Sequence, residues 1–130
     1  MTKKPEIVKW EDLIEREDGL YYKKYARVPF TGAVKNFYEN GQLSSRLNYK
    51  NGEQDGLSEY YHENGQLLTR DYYKEDKLHG LCEWFYENGQ LRKRTTYKNG
   101  KQHGPEEWFD ENGQLSRKQN YKDDKLVKSN

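Results

Sequence analysis

Four copies of Glu-Asn-Gly-Gln-Leu begin at Glu39, Glu63, Glu87 and Glu111, a constant step of 24 residues. A chain that keeps such a step folds as an array of one small unit, because each copy can bury its apolar face only against the next. Other residues hold the same step: Gly32, Gly56, Gly80 and Gly104, and Tyr25, Tyr49, Tyr73, Tyr97 and Tyr121. An aromatic stands two residues before every block, at Phe37, Tyr61, Phe85 and Phe109. Stacked units present an extended surface suited to binding. Catalysis needs a few unlike groups converging at one place, and repetition does not supply that.

Within one period, Gly56–His62 is a short aromatic run closed by the turn signal Glu63-Asn64-Gly65, and Gln66–Tyr73 runs on to a second turn. In neighbouring units that second turn contains Asn51-Gly52 or Asn99-Gly100. Asn-Gly between such runs is a strong hairpin cue, since both residues tolerate positive φ. Two glycine turns per period leave runs too short for stable helices. The expected fold is all-β: an elongated antiparallel meander of hairpins, about ten short strands in a single curled sheet.

Side-chain parity selects the turn. A three-residue loop with Gly41 in the left-handed region pairs Phe37 with Leu43 and puts the aromatic and leucine columns on one face. The same loop length is expected at Lys50-Asn51-Gly52. Odd positions then form a regular structural stripe, with Phe37, Tyr61, Phe85 and Phe109 more buried than Asn36, Tyr60, Trp84 and Trp108. Even positions gather Tyr60, Trp84 and Trp108, an Arg46/Arg70/Arg94/Lys118 column opposite Val34, Ser58 and Cys82, and the changing Tyr38, His62, Tyr86 and Asp110.

The ends read as caps. Glu17-Asp18-Gly19 after Leu13–Arg16 resembles a shortened hairpin, and Ile7, Trp10 and Leu13 after Pro5 suggest a helical turn or two. The charged C-terminal segment suits a protected edge strand. The expected organisation is a cap over 1–31, four hairpin repeats over 32–128 and a tail at 129–130.

Composition narrows the classes. Lys+Arg (23) and Asp+Glu (22) nearly cancel, which argues against a nucleic-acid module. A hydrophobic fraction of 32% is low, yet 12 Tyr and 3 Trp supply area for burial. There is no apolar run near the ~20 residues of a membrane span and no secretory leader. The single cysteine, Cys82, fits a reducing compartment, so the expected location is cytoplasmic.

Candidate chemistry gives way to structural readings. His79 and His103 share a column but would lie about 10 Å apart, too far to share a zinc ion. Cys82 would need a base and an orienting group to act as a nucleophile, although a cross-strand Arg94 would lower its pKa. The turn glutamates suit solvent-facing type I turns, and the glycines show no phosphate-cradling pattern. No catalytic, metal or cofactor site is expected. Binding falls to Tyr60, Trp84 and Trp108 flanked by Arg70 and Arg94, the residue types that dominate interface energetics.

The sequences Tyr86–Leu91 and Tyr97–Gly104 resemble the MORN repeat variant, over about Gly32 to Lys125. The likeness is to the form in bacterial antitoxins or immunity proteins, with Arg27–Gly32 similar to their lead-in. It implies a non-catalytic module that neutralises a protein partner, such as a toxin, by occlusion. MORN-type repeats also serve as scaffolds and lipid-surface binders, which makes a self-associating scaffold the alternative. Membrane and single-stranded nucleic-acid binding are the lesser ones.

Overall fold

The computed structural model describes residues 6–128, which leaves Pro5 and the 129–130 tail outside the described residues. Its elements are β1 (Glu6–Val8), a 3-10 turn (Trp10–Asp12), β2 (Leu13–Glu15), β3 (Tyr21–Lys23), β4 (Gly32–Phe37), β5 (Leu43–Lys50), β6 (Glu53–Gln54) and β7 (Gly56–Tyr61). They continue with β8 (Leu67–Lys74), β9 (Lys77–Leu78), β10 (Gly80–Phe85), β11 (Leu91–Lys98), β12 (Lys101–Phe109), β13 (Leu115–Lys122) and β14 (Lys125–Val127). The chain is an all-β meander of hairpins, as its period requires. It is not one sheet throughout: β2 and β3 form a separate two-stranded sheet beside the 12-stranded one. β1 joins the large sheet parallel to β4. Ile7 and Leu13 therefore lie in strands, and among the described residues only Trp10–Asp12 takes a helical turn.

The Glu-Asn-Gly loops form as parity demands. Gly41, Gly65, Gly89 and Gly113 have φ of 87°, 90°, 90° and 88°. Tyr38 N donates to Gln42 O at 2.8 Å and Gly41 N to Tyr38 O at 2.9 Å, closing a three-residue loop. Asn40 Oδ1 accepts from Gln42 N inside it. The second turn corrects the expected loop length. Asn51 and Gly52 both have positive φ (52° and 84°), and Lys50 pairs directly with Glu53. This is a two-residue type I′ turn, which matches the right-handed strand twist. Glu75-Asp76 and Asp123-Asp124 adopt the same backbone without glycine.

The three-residue loop has a consequence that shifts the faces. Phe37 pairs with Leu43 but Asn36 pairs with Ser45, so one extra residue is absorbed as a bulge. The same slip recurs at Tyr60/Tyr61, Trp84/Phe85 and Trp108/Phe109. A one-residue slip exchanges the faces of the long strand. Odd residues of the long strands thus share a face with even residues of the short ones.

The sheet consequently has a charged face and an aromatic face. Across the charged face runs Lys35–Arg46–Glu59–Arg70–Glu83–Arg94–Glu107–Lys118, each residue the cross-strand partner of the next. Arg70 and Arg94 reach Glu83 and Glu107 at 2.9 Å. Their guanidiniums also lie 6.0 and 5.7 Å from the Phe85 and Phe109 ring centres. Tyr61 and Phe85 are more buried than Tyr60 and Trp84, but Phe37 is 54% exposed beside a half-buried Asn36. Phe37 has no preceding long strand to place an arginine over it, because β1 pairs only with Gly32–Val34. Phe109 and Trp108 are both half-buried.

The core sits at the N-terminal end of the aromatic face. Phe30, Val34, Leu47 and Tyr49 form it, with Val8, Leu13 and Tyr21 packed against it. The Trp10 and Tyr21 rings are 5.1 Å apart, and Tyr21 meets Tyr49 edge-on at 5.6 Å. Gly32 makes the docking of β1 possible, since a Cβ there would lie 2.4 Å from the Glu6 carbonyl oxygen.

Candidate functional site

Beyond that covered end, the aromatic face is open. One row across it reads Asn36–Ser45–Tyr60–Thr69–Trp84–Lys93–Trp108–Arg117, again an unbroken chain of cross-strand partners. Tyr60 is 43% and Trp84 46% exposed. Lys93 Nζ lies 5.2 Å from the Trp84 ring centre and 4.6 Å from that of Trp108. The adjoining row contains the pairs Val34–Leu47, Ser58–Asp71 and Cys82–Thr95, then Glu106 and Gln119.

The structure thus keeps Tyr60, Trp84 and Trp108 together and separates them from Arg70 and Arg94. Those arginines point from the opposite face and are held in the acid–base ladder. They do not lie opposite Ser58 and Cys82, because the bulge moves each one residue along. Lys93 and Arg117 take the flanking positions instead.

Glu106 shows how this face manages charge. Burial would raise its pKa, but Trp108 Nε1 donates to Oε1 at 3.0 Å and Gln102 Nε2 to Oε2 at 2.8 Å. With the Lys93 and Arg117 charges added, its carboxyl is held below the ordinary value.

The Tyr38, His62, Tyr86 and Asp110 column proves to be stitching between hairpins. Tyr38 Oη donates to the Tyr61 carbonyl, His62 Nε2 lies 3.2 Å from Phe85 O, and Tyr86 Oη donates to Phe109 O at 2.7 Å. Asn40, Asn64 and Asn88 reach the next loop's glutamate carbonyl at 3.1–3.3 Å. Asp110 turns inward and caps its own loop, accepting from Asn112 N and Gln114 N. At the other rim, Gln54 N donates to Asp76 Oδ1 at 2.7 Å and Gln102 N to Asp124 Oδ1 at 2.7 Å. That bond accounts for aspartate at a left-handed position where glycine is easier.

Cys82 faces Thr95, not Arg94. Burial, with the Asp71 carboxylate beside it, pushes the thiol up to about 12, the opposite of activation. His79 Nδ1 accepts from Asn99 N at 3.2 Å, a turn-holding role. Among the described residues, no three His, Cys, Asp or Glu side chains are grouped to hold a metal ion. Nor is any helix among them long and apolar enough to cross a membrane.

Lys93, Asp71 and Glu106 were missed as members of this surface. The signal for two of them was a break in a column: lysine after Ser45 and Thr69, and glutamate after Val34, Ser58 and Cys82.

The geometry defines a hairpin-repeat array with one stitched rim at each end of its strands. Residues 30–51, 54–75, 78–99 and 102–123 each match the MORN repeat variant, and the chain belongs to that family. No curated protein matches it in sequence. Two crystal structures are similar over most of the chain. One is of a Staphylococcus aureus TarM mutant in complex with fondaparinux, alpha-GlcNAc-glycerol and UDP, at 13% identity and a TM-score of 0.46 over 89% of this chain. The other is of TarM, at 14% identity and 0.47 over 91%. This chain spans 20% and 21% of their lengths. Neither likeness bears on function.

Proposed function

We propose that this MORN-repeat chain is a non-catalytic protein-binding module whose open aromatic face docks on a protein partner and occludes it, as an antitoxin or immunity protein does. The observation that carries the reading is the uncovered row Tyr60–Trp84–Trp108, joined by Lys93, beside a first repeat whose equivalent face is covered by Trp10 and Tyr21. Tryptophan and tyrosine on a firm backbone offer large contact area at little entropic cost. A raised Cys82 thiol and a turn-bound His79 support the non-catalytic half of the reading. A lone cysteine supports a cytoplasmic location, and no cofactor is required.

The test separates the two faces. The partner is recovered from the native host and its affinity measured for Trp84→Ala and Arg94→Ala. Trp84→Ala should weaken binding at least about tenfold, the scale of an interface anchor, with circular dichroism and melting unchanged. Arg94→Ala should lower the melting temperature slightly and leave affinity alone. Binding lost in Arg94→Ala and retained in Trp84→Ala would move the interface to the charged face and end this proposal.

A further inference from the structure

Between Trp84 and Asp71 the aromatic face opens into a pocket of about 200 Å³, also lined by Thr69, Cys82, Thr95 and Tyr97. Asp71 and Glu106 are the two acids in the rows of this face, and they differ. Glu83 and Glu107 are paired with Arg70 and Arg94, and Glu106 holds Trp108, Gln102 and Lys93. For Asp71 no ion pair forms among the described residues, and the neighbouring group that contacts its carboxylate is the weakly donating Cys82 thiol. Lys93 also lines the pocket, but its ammonium lies between the two indoles, 3.9 Å from Glu106. Burial accordingly raises the Asp71 carboxyl, with no nearby cation to offset it.

A half-buried carboxylate without a counter-ion, walled by an indole, is complementary to one kind of group. We propose that this pocket receives an arginine side chain of the protein partner, its guanidinium stacked on Trp84 and paired with Asp71. The proposal rests on the docking-face reading and specifies its central contact. Arginine fits better than lysine because its planar guanidinium stacks on an aromatic face while donating in a fork to a carboxylate. The Thr69 and Thr95 hydroxyls on the pocket wall offer acceptors for its remaining N–H groups.

The experiment uses the full chain, with acetyl-Gly-Arg-Gly-amide and its neutral citrulline counterpart as probes, followed by amide and indole NMR signals. The arginine peptide should shift the Trp84 indole and the Asp71, Cys82 and Thr95 amides. The citrulline peptide should bind at least about tenfold more weakly, as loss of a charge-assisted pair requires. Asp71→Asn should abolish the difference between the two peptides. Equal binding of both, shifts confined to other residues, or selectivity that survives Asp71→Asn would overturn the assignment. If Asp71→Asn does not fold, the comparison of peptides on the unaltered chain decides alone. Failure here with Trp84→Ala still abolishing native-partner binding would remove the arginine pocket and leave the docking face. Arginine selectivity with native-partner binding intact in Trp84→Ala would remove the docking face and, with it, the partner's arginine as the occupant of the pocket.

Discussion

Glu106 shows how one exchange in a repeated column alters the chemistry of a whole region. Its counterparts are Val34, Ser58 and Cys82, all small or apolar, whereas the glutamate organises Trp108, Gln102 and Lys93 around itself. Because its carboxyl is held below the ordinary value, the unfolded chain binds the proton more readily than the folded one. Its stabilisation is fully present above the unfolded pKa, about 4.3, and is lost as pH falls through the lower folded value. Glu106→Gln should therefore melt lower than the unaltered protein at neutral pH, with the gap closing below about pH 4. Melting curves across that range check the sign; a gap that widens on acidification would show that Lys93 and the indole do not favour the charged form. Little of this was legible in the sequence. The column break at Glu106 was visible, and Gln102 and Trp108 share its strand and parity, but Lys93 reaches that face only through the bulged register of the neighbouring strand.

At the scale of the element, the hairpin loop was the most legible feature and its side effect the least. Glu-Asn-Gly flanked by Phe37 and Leu43 admits one loop length once both must share a face, and the structure has it. The extra residue that this loop inserts also flips the rest of the long strand, so Arg46, Arg70 and Arg94 fall on the charged face. A clue lay in the sequence: Glu59, Glu83 and Glu107 keep the same step as the arginines, and opposite charges belong opposite each other. The Asn-Gly of the second turn was misread because the dipeptide serves both loop types. Glycines at the two kinds of site should respond differently to a methyl group. Gly89→Ala meets only the movable Gln66 Oε1 at 3.2 Å, so its cost is the left-handed backbone, about 1 kcal/mol. Gly32→Ala places its Cβ against a fixed carbonyl and should in addition release β1. Chemical denaturation of both variants checks the order, and equal losses would mean that β1 contributes nothing to the array.

Over the whole molecule, stability should fall from the N-terminal end to the C-terminal end, because among the described residues the cover lies over the first repeat. An array is held by each unit and its contacts with neighbours, and regions with fewer buried contacts open first. Tyr49 is 5% exposed beneath Trp10, Tyr21 and Phe30, and Val34 and Leu47 are buried with it. The equivalent Tyr73, Tyr97 and Tyr121 are half-buried. In β13 every side chain except Gln119 and Tyr121 is exposed, and β14 is exposed throughout. The asparagine bonds from Asn40, Asn64 and Asn88 join the first three loops to the next in the same way, so among those repeats the difference lies in burial on the aromatic face. Native-state hydrogen exchange should therefore show the slowest amides in β4 and β5, intermediate ones in β8 and β11, and the fastest in β13 and β14. Deleting the indole that begins the cover, by Trp10→Ala, should speed exchange in β4 and β5 most and scarcely change β13. Uniform protection along the sheet would mean that the repeats unfold as one unit, with the stitched rims rather than the N-terminal cover setting the stability. A gradient would place Trp84 and its pocket in the middle of the array, on a backbone held from both sides, with the open aromatic row running past it.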